Sequence, residues 1–299
     1  MAPAWPFFAL AYLSVAVCAV GVVLRVAKYA RAPMHLRWEL YPIPHGGDKE
    51  HYGGSYFEEP DWWSQRRAVS PGGEIRAMLE EILLIRSLWH RNRAQWCVSF
   101  PFHLGLYLLF GLVFLLLGAE AARAAGPVSL GGLLQGAAVV FGTAGLVSAT
   151  AGALGLLARR LLDVRLRHSS NLSDFRNLGV LLATFLSAGH AWLATDNSFA
   201  LLGRYLWGIA TFSPHAAPFP IVFEVAVASL FLLYLPFTPM IHFVAKYFSY
   251  HQVRWDDRPS SEDPKLAGKM VANLARPVPW SAAHIPQDSD WARATSEVK

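Results

Sequence analysis

The chain has 299 residues, of which 54% are hydrophobic and 13% aromatic, whereas only 16% are charged. This composition, with a mean hydropathy of +0.31, excludes an ordinary soluble protein and indicates a polytopic membrane protein. The formal net charge is +5, and Cys18 and Cys97 belong to no C-x-x-C motif, so neither a cysteine-bound iron–sulfur cluster nor a covalently attached haem is expected.

Five apolar runs are long enough to form membrane-spanning helices. The first has no basic residues before it and no small-x-small cleavage motif after it, so we expect a retained helix rather than a signal peptide. The predicted fold is therefore all-α, a five-helix transmembrane bundle with a cytoplasmic loop and tail. The predicted spans cover residues 5–26, 98–119, 131–158, 177–195 and 219–248.

Lysine and arginine are distributed unevenly between the two sides of these spans. If the N-terminus lies outside, 24 of the 26 basic residues lie inside, and only Arg123 and Arg204 lie outside. Because cytoplasmic segments are enriched in Lys and Arg, we expect a multi-pass protein of the cytoplasmic (inner) membrane with its C-terminus in the cytoplasm.

Four segments follow from this topology: 1–28 as the first transmembrane helix, 29–97 as a cytoplasmic loop, 98–250 as a four-helix region and 251–299 as a cytoplasmic tail. In the loop, apolar residues from Ile75 to Trp89 recur at helical spacing. This amphipathic helix lies either on the inner leaflet or against the protein's own loops. The tail has too few apolar residues for a core, so we expect it to be disordered or ordered by a partner.

Three of the eleven histidines fall within predicted spans, namely His103, His190 and His242. His103 and His242 both lie within ~10 Å of the inner face at a rise of ~1.5 Å per residue. Two imidazoles at one depth can supply the axial ligands of a haem b iron. The alternatives are that each imidazole bonds a neighbouring carbonyl or hydroxyl, or that they hold zinc, which is disfavoured because no third ligand is evident.

Nearby residues fit a pair of haem ligands. Gly105 beside His103 is interpreted as making room for a flat macrocycle, and Pro236 and Pro239 are expected to bend the fifth helix just before His242. Small residues on the third span, in contrast, predict close helix packing rather than a cofactor edge.

A second group of polar residues is predicted at the outer face. His190, Asp196 and Arg204 lie near that face, and Glu224 is about five residues into the fifth span. Quinol oxidation needs a group that takes a proton, which Glu224 and His190 would supply. Alternatively, Glu224 pairs with Arg204 or faces outer water.

The sequence resembles the gamma-subunit family of respiratory nitrate reductase over about residues 98–250. The resemblance rests on FHLG in the second span, the small-residue third span, Asp174 at the start of the fourth and Pro-Phe-Thr-x-x-x-His over 236–242. It implies a dihaem cytochrome b that passes electrons between membrane quinone, menaquinone included, and a cytoplasmic iron–sulfur subunit. The family's second histidine pair is replaced here by Val113 and Glu224, so a second haem would need other ligands, with His190 the candidate and His215 its mate.

The loop motifs RWELYPIPHG and GGSYFEEPDWW and the tail motif PVPWSAAHI resemble relatives of that subunit in heterodisulfide-reductase-like complexes, the Dsr and Tmc types. This resemblance implies a cytoplasmic iron–sulfur partner subunit and further subunits of a complex, besides quinone and membrane lipid, and no nucleic acid. The competing hypothesis is a haem-less membrane anchor or a transporter subunit. A transporter, however, is expected to show paired halves and interrupted helices.

Overall fold

The computed structural model describes residues 4–31, 71–250, 264–282, 285 and 288–296. These residues form helices, turns and two isolated β-bridges, which confirms the all-α prediction. Five of the helices are long and apolar enough to cross a membrane. The helices are α1 (Ala4–Arg31), α2 (Pro71–Leu84), α3 (Arg86–Arg91), α4 (Arg93–Ala125), α5 (Val128–Leu162), α6 (Val164–Ser169), α7 (Leu172–Ala194), α8 (Ala200–Ala210), α9 (Phe219–Tyr234), α10 (His242–Tyr250), α11 (Pro264–Leu274) and α12 (Trp291–Ser296).

The fifth span was predicted as one helix over 219–248 with a bend just before His242, whereas the structure breaks it at that place. Helix α9 ends at Tyr234, two short 3₁₀ turns follow, and α10 begins at His242. Each turn contains a proline, Pro236 or Pro239, which has no backbone N–H to donate and clashes with the preceding helical turn. The prolines therefore interrupt the helix instead of merely bending it.

The chain divides into two compact units, one built from residues 1–21 and 79–240 and the other from 22–78 and 241–299. The first unit contains α3 to α9, the first part of α1, the end of α2 and the chain up to Met240. We call the end where α4 begins, near Arg93, Arg159 and Arg176, the basic end, and the end where α4 meets α5, at Gly126, the far end.

Helices α4 and α5 form a long hairpin with an unusually close contact. A Cβ atom at Gly105 would collide with the backbone of Ala149, and one at Gly152 would collide with the backbone of Phe102. The prediction that small residues of the third span serve close packing is therefore confirmed. The interpretation of Gly105 as room for a macrocycle is wrong, because that glycine faces α5.

The far end contains a helix that the sequence did not predict, α8. The carboxylate of Asp196 caps it by accepting hydrogen bonds from the backbone N–H groups of Ala200, at 3.0 Å, and Leu202, at 2.9 Å. Helix α1 packs against α8, since the Tyr12 hydroxyl donates to the Ile209 carbonyl at 2.9 Å. Their shared core also includes residues of α4, α5, α7 and α9.

At the basic end, side chains cap the helices and join them. Asn171 and Asp174 form a capping box at the start of α7, which agrees with the position of Asp174 at the start of the fourth span. The Tyr234 hydroxyl donates to Asn177 Oδ1 at 2.7 Å and accepts from Arg176 Nε at 2.8 Å. These bonds fasten the last residue of α9 to the first turns of α7.

The second unit contains the described part of the tail. Helix α11 is followed by the bridges Pro277–Asp290 and Ala282–Ile285 and then by α12, with Val278 buried. In these residues a short bridged turn supplies hydrogen bonds where apolar residues are few, and the expectation that the tail is disordered or ordered by a partner stays a prediction. The loop segment 32–70, which carries the predicted partner motifs, lies outside the described residues.

Candidate functional site

His103 lies on the side of α4 that faces away from α5. The buried side of α4 includes Phe102, Gly105 and Leu112, whereas His103 is half-buried. At 3.6 residues per turn, five aromatic residues of α4 fall on the same side of the helix as His103, namely Trp96, Phe100, Tyr107, Phe110 and Phe114. We call the first four of them, together with His103, the aromatic stripe.

The His103 ring is oriented by its own helix. Its Nδ1 lies 2.7 Å from the carbonyl oxygen of Ser99, one turn earlier. A carbonyl can only accept, so Nδ1 carries the proton and the lone pair is on Nε2. Histidines that bind metals commonly use such a bond to fix the tautomer, so His103 has the chemistry of a haem ligand.

The surroundings of His103 are aromatic and apolar. Phe102 meets the His103 ring edge-on at 5.1 Å between centroids, and Phe102 also packs with Phe185 of α7 at 6.4 Å. Leu181 and Ala149 belong to the same buried cluster. A low-polarity lining of this kind, together with a tautomer-fixed imidazole, fits the edge of a haem b group.

His242 is the first residue of α10, directly after the proline-containing 3₁₀ turns. The turns are held by Thr238, whose hydroxyl donates to the Leu235 carbonyl at 2.9 Å and accepts from the Met240 N–H at 3.2 Å. His242 is solvent-exposed and belongs to the second unit, whereas His103 belongs to the first. The pairing of these two histidines therefore stays a prediction from the sequence.

At the far end the structure brings together only part of the predicted polar group. Glu224 lies half-buried in the second turn of α9 and interacts electrostatically with Asp196, which is 5% exposed. Arg204 is exposed, and within the described residues neither Arg204 nor Glu224 forms an ion pair. The capping role of Asp196 could not be predicted because α8 was not.

His190 lies on the outward side of α7. The exposed residues of this helix recur at helical spacing, so they form one face turned away from the first unit's core. The His190 side chain therefore points toward lipid or toward a partner. It does not point into the core, in the direction of Glu224. The exposed residues are Leu172, Arg176, Gly179, Ala183, Leu186, His190, Leu193 and Ala194.

His215 lies in the turn between α8 and α9. Its ring packs against Gly208, where a Cβ atom would collide with it, and meets the Tyr205 ring edge-on at 5.8 Å. The Tyr205 hydroxyl is fully buried and has no hydrogen-bond partner within the described residues. Burial also raises the pKa of Tyr205 above its ordinary value. His215 is thus seated on α8, and the structure shows no contact between it and His190 in the part of the chain that it describes.

Sequence reasoning missed the aromatic stripe around His103. Its signal was the spacing of Trp96, Phe100, His103 and Tyr107, which follows the period of a helix. That signal was hidden because apolar residues occupy every side of this helix, so no side stands out as buried.

Comparison with known proteins gives one family. The model of the family described as nitrate reductase gamma subunit matches residues 86–256, which include His103, His242 and Glu224. A search of the curated proteins and a search of the solved structures find no match.

Proposed function

This chain belongs to the nitrate reductase gamma-subunit family, whose members are membrane cytochrome b subunits of quinone-linked complexes, and we propose that it passes electrons between quinone and a cytoplasmic partner through haem b. The observation that carries the proposal is the family match over 86–256, because it spans the whole region that holds the candidate histidines. Five membrane-spanning helices agree with such a subunit.

We assign His103 and His242 as the axial ligands of the haem. The Ser99 carbonyl bond supports His103, because it places the lone pair on the ring nitrogen that binds iron. The position of His242 at the start of α10 supports its role, because the chain breaks there and can aim the ring independently of α9. When bound, the haem supplies one-electron transfer, and the protein's part is to hold, orient and shield it.

A second haem would have His190 as its first ligand and His215 as the second candidate. His190 stands on the outward side of α7, and His215 is packed on α8. Binding both to one iron would therefore require a rearrangement of the far end. We accordingly propose one haem at His103 and His242 as the core of the function.

Quinone is proposed to react at the far end, near α7 and α9. Oxidation of one quinol releases two electrons and two protons. The carboxylate of Glu224 would take one proton and the imidazole of His190 the other, and both protons would leave to the outer water. The electrons would pass one at a time to the haem at His103 and His242, which is roughly 15–20 Å away at ~1.5 Å per residue. This distance requires either a second haem at His190 as a relay or a quinone that binds deeper in the bundle. The electrostatic interaction of Glu224 with Asp196 supports this site, because it means that two carboxyl groups lie near one another in an otherwise apolar region.

The basic end is proposed to face the cytoplasm, with the N-terminus outside. An iron–sulfur subunit of the heterodisulfide-reductase-like kind would dock there, on residues 31–72 and on the tail. The tail exposes two tryptophans, Trp280 at 49% and Trp291 at 38%, and aromatic residues often anchor protein interfaces. The resemblance of the loop and tail motifs to the Dsr and Tmc types supports this partner.

The experiment that tests the proposal is a reduced-minus-oxidised absorption spectrum of the purified chain, followed by the addition of a menaquinol analogue to the oxidised form. We expect the bands of a haem b, and we expect the quinol to produce the same bands as a chemical reductant. A spectrum without haem bands would favour the haem-less anchor. Haem bands that quinol cannot produce would contradict the quinone reaction alone.

A further inference from the structure

The helices α2 and α3 meet in a bend that lies against α4. We call residues Leu79–Arg91 the elbow. It bends at Ile85, whose φ of 51° is in the left-handed region that a β-branched residue rarely adopts. Glu81 is only 8% exposed, and its Oε2 accepts from the Ser87 N–H at 2.9 Å, which caps α3 from within the elbow. The bend is therefore a formed structure with an internal hydrogen bond.

Two side chains of the aromatic stripe fasten the elbow to α4. The indole N–H of Trp96 donates to the Leu84 carbonyl at 2.7 Å, and the Tyr107 hydroxyl donates to the Ile82 carbonyl at 2.7 Å. These bonds satisfy carbonyls in the last turn of α2, which have no partner within that helix. Trp89 adds an edge-on contact with Trp96 at 4.7 Å between ring centroids.

The positions of these two anchors fix what the elbow covers. Trp96 and Tyr107 are separated by roughly 16 Å along α4 at the helical rise of ~1.5 Å per residue. Their side chains nevertheless reach carbonyls that are two residues apart, so the last turn of α2 must lie over the middle of that stretch. The members of the aromatic stripe in the middle are Phe100 and His103.

We propose that the elbow covers His103 on the side of α4 that faces away from α5 and forms one wall of its site. Trp96 and Tyr107 are positioning residues that hold this wall against α4, so that water is excluded from the site. The inference rests on the proposed function, in which His103 is a haem ligand. Oxidised haem carries one more positive charge than reduced haem, so a site without water favours the reduced form and raises the midpoint potential. Loosening the wall should lower that potential.

The test uses the full chain with Tyr107→Phe and, independently, Trp96→Phe. Tyr107→Phe keeps the ring and removes only the donor to the elbow, whereas Trp96→Phe removes the indole donor together with part of the ring contact to Trp89. We expect amide hydrogen exchange over Leu79–Arg91 to become about tenfold faster, as for the loss of one hydrogen bond. The haem midpoint potential should fall in the same variants, by up to ~59 mV for a tenfold change in the ratio of oxidised to reduced haem.

The matched control is Tyr234→Phe, which removes a tyrosine hydroxyl at the same end of the bundle but outside the elbow. It should change neither the exchange of the elbow nor the potential. If amide exchange of the elbow is faster but the haem potential is unchanged in both variants, the elbow does not exclude water from the haem. If exchange is unchanged, Trp96 and Tyr107 do not hold the elbow.

A His103→Ala variant separates this inference from the proposed function. Loss of haem in that variant supports His103 as a ligand. The role of the elbow is then decided by the haem potentials of Tyr107→Phe and Trp96→Phe. Full haem content would refute the ligand assignment and the wall with it. The exchange data would still report whether Trp96 and Tyr107 hold the elbow.

Discussion

Replacing Gly105 with alanine should destabilise the bundle, because the new methyl group has no space. Its Cβ atom would lie 2.6 Å from the Cα and 2.7 Å from the Cβ of Ala149, whereas ordinary contacts are 3.4–4 Å. Helices α4 and α5 would have to separate by about 1 Å, and overpacking of this kind costs about 1–3 kcal/mol. The obstacle includes the backbone of Ala149, which cannot rotate aside as a flexible side chain would.

The assay is the free energy of unfolding of the purified chain, measured by titration with sodium dodecyl sulfate. Gly132→Ala in α5 is the matched control, since a Cβ atom there meets nothing within 4 Å, and it should cause no loss of stability. Haem content at low detergent should stay at the wild-type level in Gly105→Ala. Wild-type stability combined with loss of haem would refute the packing role and restore the idea that Gly105 makes room for the macrocycle.

Three further predictions concern the orientation in the membrane, the residues of the quinone site and the segment that binds the partner subunit. A reporter fused after Lys299 should be active only in the cytoplasm and one inserted at Gly126 only outside; reversal of both would contradict the orientation. Glu224→Gln should slow quinol-dependent reduction at least tenfold, as expected for loss of a general base, and His190→Ala should slow it as well; wild-type rates in both would exclude them from the quinone site. Deletion of residues 255–299 should reduce co-purification of an iron–sulfur subunit while haem stays bound, and undiminished co-purification would show that the tail is not the dock.

The long spans could be predicted because their apolar runs exceed what a bilayer requires, and α4 and α5 are longer still, at 33 and 35 residues. The break before His242 was predicted only as a bend. Pro236 and Pro239 are three residues apart, so two successive turns of the helix each lose a backbone hydrogen bond. Local sequence contained this information, but two neighbouring prolines act more strongly than one.

Other features depend on contacts between distant residues and could not be predicted. The segment of α8 was interpreted as part of a short outer loop, and its 11 residues are too few to span a membrane. Asp196 was assigned to the quinone group from its depth alone, whereas its partners are the N–H groups of that unpredicted helix. Likewise, the side of α4 that Gly105 occupies is decided by the partner helix, since glycine itself has no preference for a lipid-facing or a helix-facing position.

The candidate site likewise has features that could be predicted from local sequence and one that depends on contacts between distant residues. The chemistry of His103 could be predicted because an imidazole in an apolar span needs a partner. Its hydrogen bond to the Ser99 carbonyl follows from helix geometry, since residues four apart are neighbours. The elbow over it could not be predicted, because Tyr107 and Ile82 are 25 residues apart in sequence and only the fold brings them together.

The most direct test of the haem assignment is the haem content per chain, measured as the pyridine haemochrome, in His103→Ala, His242→Ala and a control, His168→Ala. His168 is an exposed histidine at the end of α6 and has no proposed role. We expect His103→Ala and His242→Ala each to lose the same haem completely, because one remaining imidazole does not hold a six-coordinate haem b, and we expect His168→Ala to keep the wild-type content. Full haem content in either His103→Ala or His242→Ala would contradict the assignment of these histidines as the axial pair.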